Sequence, residues 1–161
     1  MNVISNKYLI LVYDKTNKIM NNHIRNILTK NEVIISSSDI DKNVDASSSH
    51  VVDDKSFDNN DIDTIIKLSN DLFISYIKKK SDKNELEYIN NVKIAQNFIS
   101  LSLLICFWII YKFIKCDGYI DAAVLEMWTM FELKEILEKE LEILQTISYN
   151  IYPIIYNKNA N

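Results

Sequence analysis

The stretch Val92–Lys115, VKIAQNFISLSLLICFWIIYKFIK, places the strongest limit on how this chain can fold. Between positions 98 and 111 it carries no charge, and its only small polar residues are Ser100 and Ser102. A helix with one solvated face would show polar residues at every third or fourth position. The stretch therefore predicts a helix that is either enclosed by other helices or embedded in lipid. Its uncharged run at 98–111 is shorter than the about 20 apolar residues of a membrane span, and Lys112 and Lys115 interrupt its end, which favours enclosure.

The chain has the length of one domain, and its turn residues are scarce. It has 161 residues, which is enough to enclose a sizeable core. One glycine and one proline leave little material for the many tight turns of a sheet-rich protein. We therefore predict an all-α domain over residues 1–161, in which a helical bundle surrounds the central apolar helix.

The sequence contains no residue pattern typical of nucleic-acid binding, metal binding, phosphate binding or catalysis. The net charge of −4 gives no reason to expect nucleic acid as a partner. His23 and His50 have no partners at metal-ligand spacing, and one glycine cannot form a phosphate-binding loop. We predict no catalytic residue, no metal and no cofactor, which leaves a binding or regulatory protein. The two cysteines, Cys106 and Cys116, suit a reduced, intracellular protein.

The part before the central helix reads as two helices and a loop. Residues 2–30 have helical apolar spacing with a break near Asn21–Asn22, although the β-branched run at 9–12 could be a strand. Residues 36–59 predict a disordered acidic loop, because eight aspartates stand against two lysines over 36–63. A helix follows over 60–80.

A short helix over 85–89 then leads into the central one. After the central helix, residues 116–118 predict a turn and residues 121–147 one long amphipathic helix, followed by a short segment at 151–156. Glu138, Glu140 and Glu142 are expected on its solvated face. Glu135 and Lys139 have the four-residue spacing of a helix-stabilising pair. The residues predicted to face the core are Ala123, Met127, Met130, Phe131, Ile136, Leu137, Leu141 and Leu144.

Two short stretches carry a family resemblance. Within the helix at 60–80, Ile62, Ile66, Asn70–Asp71 and Phe73 match much of the spacing of a BH3 segment, with Ser69 at its third apolar site. Ahead of the central helix, Ile89–Asn90–Asn91–Val92–Lys93–Ile94 is similar to the BH1 signature, with Asn and Lys at its Asn and Arg positions.

With this order of elements, the chain resembles the Bcl-2 apoptosis regulators, and among them the divergent poxvirus-type homologues. Residues 5–10 look like the start of the family's BH4 helix, whereas Asn91 and Val92 replace its Trp and Gly, and no BH2 match is present. The resemblance implies a Bcl-2-like helical bundle with a groove for BH3 helices. The groove residues that it implies are Phe73, Ile77, Leu86, Tyr88, Asn90, Lys93, Ile94 and Phe98.

The function implied is that of a viral apoptosis inhibitor, which sequesters pro-apoptotic BH3 helices of host Bcl-2 proteins. It would act in the host cytoplasm or at the mitochondrial outer membrane, and homodimer formation stays open. Because Asn91 and Val92 depart from the signature, a Bcl-2-fold inhibitor of innate immune or NF-κB signalling without a working groove is an alternative. A small single-span membrane protein is a second alternative.

Overall fold

The computed structural model describes residues 6–42, 59–115 and 120–156. These residues form six helices and no strand, so the predicted all-α class is confirmed. The helices are α1 (Lys7–Lys42), α2 (Asn59–Asp82), α3 (Val92–Lys115), α4 (Ala122–Trp128), α5 (Leu133–Thr146) and α6 (Tyr152–Tyr156).

The predicted central helix is α3, and its bounds agree with those read from the sequence. It packs against α1, α2 and α5, while α4 packs on α5 and α6 on α2. Every residue from 102 to 111 is buried, so this part of α3 is enclosed on all sides. A helix without a polar face requires such an enclosure in water, because each exposed apolar side chain would cost free energy.

The length and composition of α3 also match those of a membrane span. The segment Val92–Ile114 is long and apolar enough to cross a bilayer. Of an apolar stretch of 18 residues within it, 67% is buried inside the bundle. A core helix passes the same test of length and composition, so this finding is weak support for a span.

Helix α1 is longer than predicted and is not interrupted. Asn6 caps it, since its Oδ1 accepts hydrogen bonds from the backbone N–H groups of Tyr8 (3.0 Å) and Leu9 (3.2 Å). The strand alternative at 9–12 is therefore wrong. The helix runs through Lys42 and so includes the start of the predicted acidic loop; residues 1–5 and 43–58 lie outside the described residues.

The break predicted near Asn21–Asn22 is also wrong, because the side chain of Asn21 is bound to other side chains. Its Nδ2 donates to Asn17 Oδ1 (2.6 Å), and its Oδ1 accepts from Asn70 Nδ2 (3.1 Å) on α2. Asn17 Nδ2 also donates to Asn70 Oδ1 (2.7 Å). An asparagine whose amide is satisfied in this way does not compete for the helix backbone.

The helix predicted over 85–89 is a turn instead. Helix α2 ends at Asp82, and Asn84 takes a left-handed conformation (φ 57°) that asparagine tolerates better than most residues. The N–H of Glu85 then donates to the carbonyl of Lys80 (3.0 Å), and Asn84 N–H to Ser81 O (3.0 Å). These two bonds terminate α2, and residues 83–88 form turns rather than a further helix before α3.

The single helix predicted over 121–147 is wrong, since residues 129–132 separate α4 from α5. Thr129 and Glu132 both have extended backbones. The N–H groups around the break find side-chain acceptors: that of Phe131 donates to Thr129 Oγ1 (3.2 Å), and that of Leu133 to Glu126 Oε2 (2.8 Å). These bonds satisfy backbone groups that a continuous helix would otherwise have paired.

The break changes which side chains face the core. Met127 (68% exposed), Met130 (85%), Leu137 (46%) and Leu141 (50%) were predicted inside and lie outside, as does Ala123. Ile136 is buried as predicted, and Phe131 and Leu144 are half-buried; the other buried positions over 121–147 are Leu125, Ile143 and Ile147. The predicted turn at 116–118 lies outside the described residues, and the short end segment contains α6.

Candidate binding pocket

A partly open pocket lies between the N-terminal half of α3 and helix α5. Its volume is about 420 Å³, within the range of ligand-binding pockets. From α3, Ile94, Phe98 and Leu101 provide an apolar floor at helical spacing. We call this cavity the α3–α5 pocket; the other residues that line it are Tyr88, Asn97, Met130, Phe131, Glu135 and Lys139.

The ring of Phe98 is held in place by three neighbours. Tyr76 stacks on it at 6.0 Å between centroids, and Tyr88 meets it edge-on at 6.4 Å. The ammonium of Lys139 lies 4.8 Å from its centroid, within the range of a cation–π contact. The aromatic ring in the floor of the pocket is therefore contacted by side chains from α2, from the turn before α3 and from α5.

Lys139 belongs to a group of bonded polar side chains beneath the pocket, which we call the Glu142 cluster (Tyr76, Lys80, Lys139 and Glu142). Glu142 accepts from Tyr76 Oη (2.6 Å) and Lys139 Nζ (2.9 Å), and forms an ion pair with Lys80 Nζ (2.8 Å). Both lysine side chains are almost buried, at 13% and 11% exposure for Lys80 and Lys139. The expectation that Glu142 lies on a solvated helix face is wrong, because α5 turns it towards α2.

These contacts shift two proton equilibria. Burial would raise the pKa of Glu142, but the hydrogen bonds from Lys80, Tyr76 and Lys139 outweigh it and lower this pKa to about 2. Burial raises the pKa of Tyr76, and its hydrogen bond to Glu142 raises it further. Glu142 is thus ionised and Tyr76 neutral throughout the physiological range.

Three of the eight residues predicted for the groove line the α3–α5 pocket: Tyr88, Ile94 and Phe98. Phe73 and Ile77 are completely buried in α2, and Leu86 is 4% exposed. Phe73 stacks on Tyr13 of α1 at 5.9 Å. The structure therefore places these three side chains in the core, behind the surface that a ligand would touch.

The two polar residues predicted for the groove, Asn90 and Lys93, are exposed and do not line the pocket. Lys93 lies one helical turn before Asn97, which does line it. The neighbouring Asn91 caps α3, since its Oδ1 accepts from the N–H of Ile94 (2.9 Å). Helix initiation is thus one physical role of the BH1-like stretch.

Sequence reasoning missed the wall that comes from the C-terminal part of the chain. Met130 and Phe131 reach the pocket only because the helix breaks between α4 and α5, and no apolar period predicts that break. The helix-stabilising pair predicted between Glu135 and Lys139 is not formed. Lys139 binds Glu142, and Glu135 Oε1 accepts from the N–H of Glu132 (3.1 Å).

A second pocket of about 550 Å³ lies between α1 and α3. Asn97, Met130 and Phe131 line both cavities. We call it the α1–α3 pocket; its other lining residues are Ile19, Met20, Asn22, His23, Asn26, Ser100, Trp128 and Thr129.

The described residues thus define an all-helical bundle with cavities beside its central helix. Among these residues, no three Asp, Glu, His or Cys side chains are placed to hold a metal ion. No family model, curated protein or solved structure matches this chain.

Proposed function

We propose that this chain is a Bcl-2-like viral inhibitor of apoptosis, which sequesters pro-apoptotic BH3 helices of host proteins in the α3–α5 pocket. The Bcl-2-like topology of the bundle is part of this proposal. The observation that carries it is the apolar floor of Ile94, Phe98 and Leu101, open to solvent between Tyr88 and Phe131. A groove of this kind accepts the apolar face of an amphipathic helix, whose side chains recur at three- and four-residue spacing.

Charge at the pocket supports a ligand helix that carries an aspartate. Lys93 is exposed one turn from the pocket, and among the described residues it has no carboxylate within ion-pair distance. Lys139 lies nearer to the floor, but it is already bound to Glu142. We therefore assign the contact with the ligand carboxylate to Lys93, whose ammonium lacks the fork geometry of arginine and gives a less directional contact.

Calorimetric titration with a panel of BH3 peptides tests this proposal. We expect at least one peptide to bind with Kd at or below about 1 μM. Lys93→Glu should weaken binding by about tenfold, because it repels the peptide aspartate. The matched variant Lys15→Glu makes the same charge change at an exposed position of α1 and should bind like the wild type.

Neither variant should lower the melting temperature, since both side chains are exposed. A panel without binding, or a Lys93→Glu variant that binds as well as the wild type, contradicts the BH3 proposal.

One observation favours the alternative, a Bcl-2-fold inhibitor of innate immune or NF-κB signalling without a working BH3 groove. Phe73, Ile77 and Leu86 are buried in the core, so α2 and the turn after it present none of these three predicted anchors to a ligand. Co-purification of signalling adaptors by a chain that binds no BH3 peptide would support this alternative.

A further inference from the structure

Two charged side chains of α5, Glu135 and Lys139, line the α3–α5 pocket, and the other residues that line it are uncharged. The effect of each charge on a ligand depends on the groups to which it is already bound inside the protein. Glu135 and Lys139 differ in this respect, because one of them is compensated by the protein and the other is not.

The charge of Lys139 is compensated within the Glu142 cluster. Its Nζ donates to Glu142 Oε1 (2.9 Å), and Lys80 lies between Glu142 (2.8 Å) and Glu85 (3.5 Å). Two ammonium groups thus face two carboxylates, so these four side chains together have no net charge. The attraction of Lys139 for a ligand anion and its repulsion of a ligand cation are therefore both weakened.

The charge of Glu135 has no such partner. Its side chain is exposed, and among the described residues no lysine or arginine lies within ion-pair distance of its carboxylate. Its Oε1 accepts from the N–H of Glu132 (3.1 Å), in the capping box that begins α5. A carboxylate has two oxygens and about four acceptor sites, so this bond leaves Glu135 able to accept from a ligand.

The neighbours of Glu135 suit a long basic side chain. Met130, which is 85% exposed, and half-buried Phe131 line the same pocket. Lysine and arginine have apolar stems that pack on such a surface while the charged head reaches an acceptor. An uncharged apolar ligand residue at this place would displace water from the carboxylate without replacing its hydrogen bonds.

We propose that Glu135 is a specificity-determining residue of the α3–α5 pocket, which selects amphipathic ligand helices that carry a lysine or arginine beside their apolar face. The ligand cation pairs with Glu135 while its stem packs on Met130 and Phe131, and the ligand aspartate contacts Lys93. This inference rests on the proposed function, because it names a second charge that the same ligand must carry.

Peptide titrations of the full chain in a double-mutant cycle test it. Glu135→Gln removes the charge but keeps an acceptor for the N–H of Glu132, so it should melt like the wild type. The matched variant Glu138→Gln makes the same change at an exposed position of α5 outside both pockets. In a BH3 peptide that binds, each lysine or arginine is replaced singly by glutamine.

At one peptide position, this replacement should weaken binding to the wild type and to Glu138→Gln by about threefold, the effect of an exposed ion pair. The same replacement should change binding to Glu135→Gln by less than about 1.5-fold, because the partner charge is already absent. If peptides bind but no position shows this coupling, the proposal is overturned while the proposed function stands.

Small probes make the test independent of BH3 peptides. Phenethylguanidinium and neutral phenethylurea share an aromatic ring and differ in charge. In NMR titrations, the wild type should bind the cation at least about twofold more tightly than the urea, and Glu135→Gln should bind both equally. If no BH3 peptide binds, the proposed function fails; equal binding of the two probes by the wild type, or binding of neither, then overturns the role of Glu135 as well.

Discussion

Glu142 is the side chain whose environment differs most from what its sequence neighbours suggest. It lies among glutamates of a charged helix, yet it is bound by Tyr76, Lys80 and Lys139 between α5 and α2. Lys139 then reaches the ring of Phe98. One ionised carboxylate therefore helps to fix the floor of the candidate pocket, because it neutralises two nearly buried cations.

We expect the stability of the protein to fall in acid because of Glu142. Its pKa is lowered to about 2 in the folded protein, so its contribution is present above about pH 4.5 and is lost as the pH falls towards 2. Glu142→Gln should cost about 1–2 kcal/mol of unfolding free energy at pH 7, a figure reduced because the side chain is a third exposed. Urea denaturation from pH 7 to pH 2.5 measures both effects.

The matched variant is Glu138→Gln, at an exposed position on the same helix. It should change neither the stability at pH 7 nor its slope in acid. Equal acid slopes for the wild type and Glu142→Gln would contradict the assignment of the slope to this carboxylate.

Hydrogen bonds at helix ends help to position the residues that line the pocket. Asn6 caps α1 with its oxygen, and its Nδ2 donates to the carbonyls of Leu86 (3.0 Å) and Ile89 (2.9 Å) in the turn before α3. Tyr88, a wall of the pocket, lies in that turn. A single side chain thus joins the start of α1 to the entrance of α3.

Asn6→Ala should therefore destabilise the protein by about 1–3 kcal/mol, through the lost cap and two carbonyls left without their donor. Asn6→Ser keeps a capping oxygen but not the reach to the turn, and should cost less. Denaturant melts of the two variants measure the difference. Equal losses would show that the capping oxygen contributes nothing and that the contacts to Leu86 and Ile89 account for the whole effect.

The bundle as a unit depends on burial along α3. Leu104 is completely buried there, whereas Leu137 is 46% exposed on α5 although its spacing predicts an inward side chain. Leu104→Asp should cost at least about 3 kcal/mol, because an unpaired charge in the core is not compensated, whereas Leu137→Asp should cost less than about 1 kcal/mol.

Circular dichroism melts of protein expressed without detergent measure both variants, and the wild type should unfold cooperatively. Comparable losses in the two variants would mean that α5 packs in the register that the sequence predicted. Recovery of the wild type only from membranes would mean that α3 is a span.

The central helix could be predicted from the sequence because its constraint is local. A run without charge from 98 to 111 must be removed from water whatever its neighbours are. The helix over 60–80 could be predicted in the same way, from its own apolar spacing. The scarcity of glycine and proline predicted the all-α class. Ile94, Phe98 and Tyr88 were expected at a binding surface and line the α3–α5 pocket.

Tertiary contacts decided the rest of the pocket. A helical period says that one face is apolar, but which face is buried depends on the neighbouring helices, and Phe73 and Ile77 therefore lie in the core rather than at the surface. The break at 129–132 depends on acceptors from Thr129, Glu126 and Glu135, which a continuous helical pattern does not reveal. Because that break brings Phe131 to α3, the shape of the site is a property of the packed helices and not of any one segment.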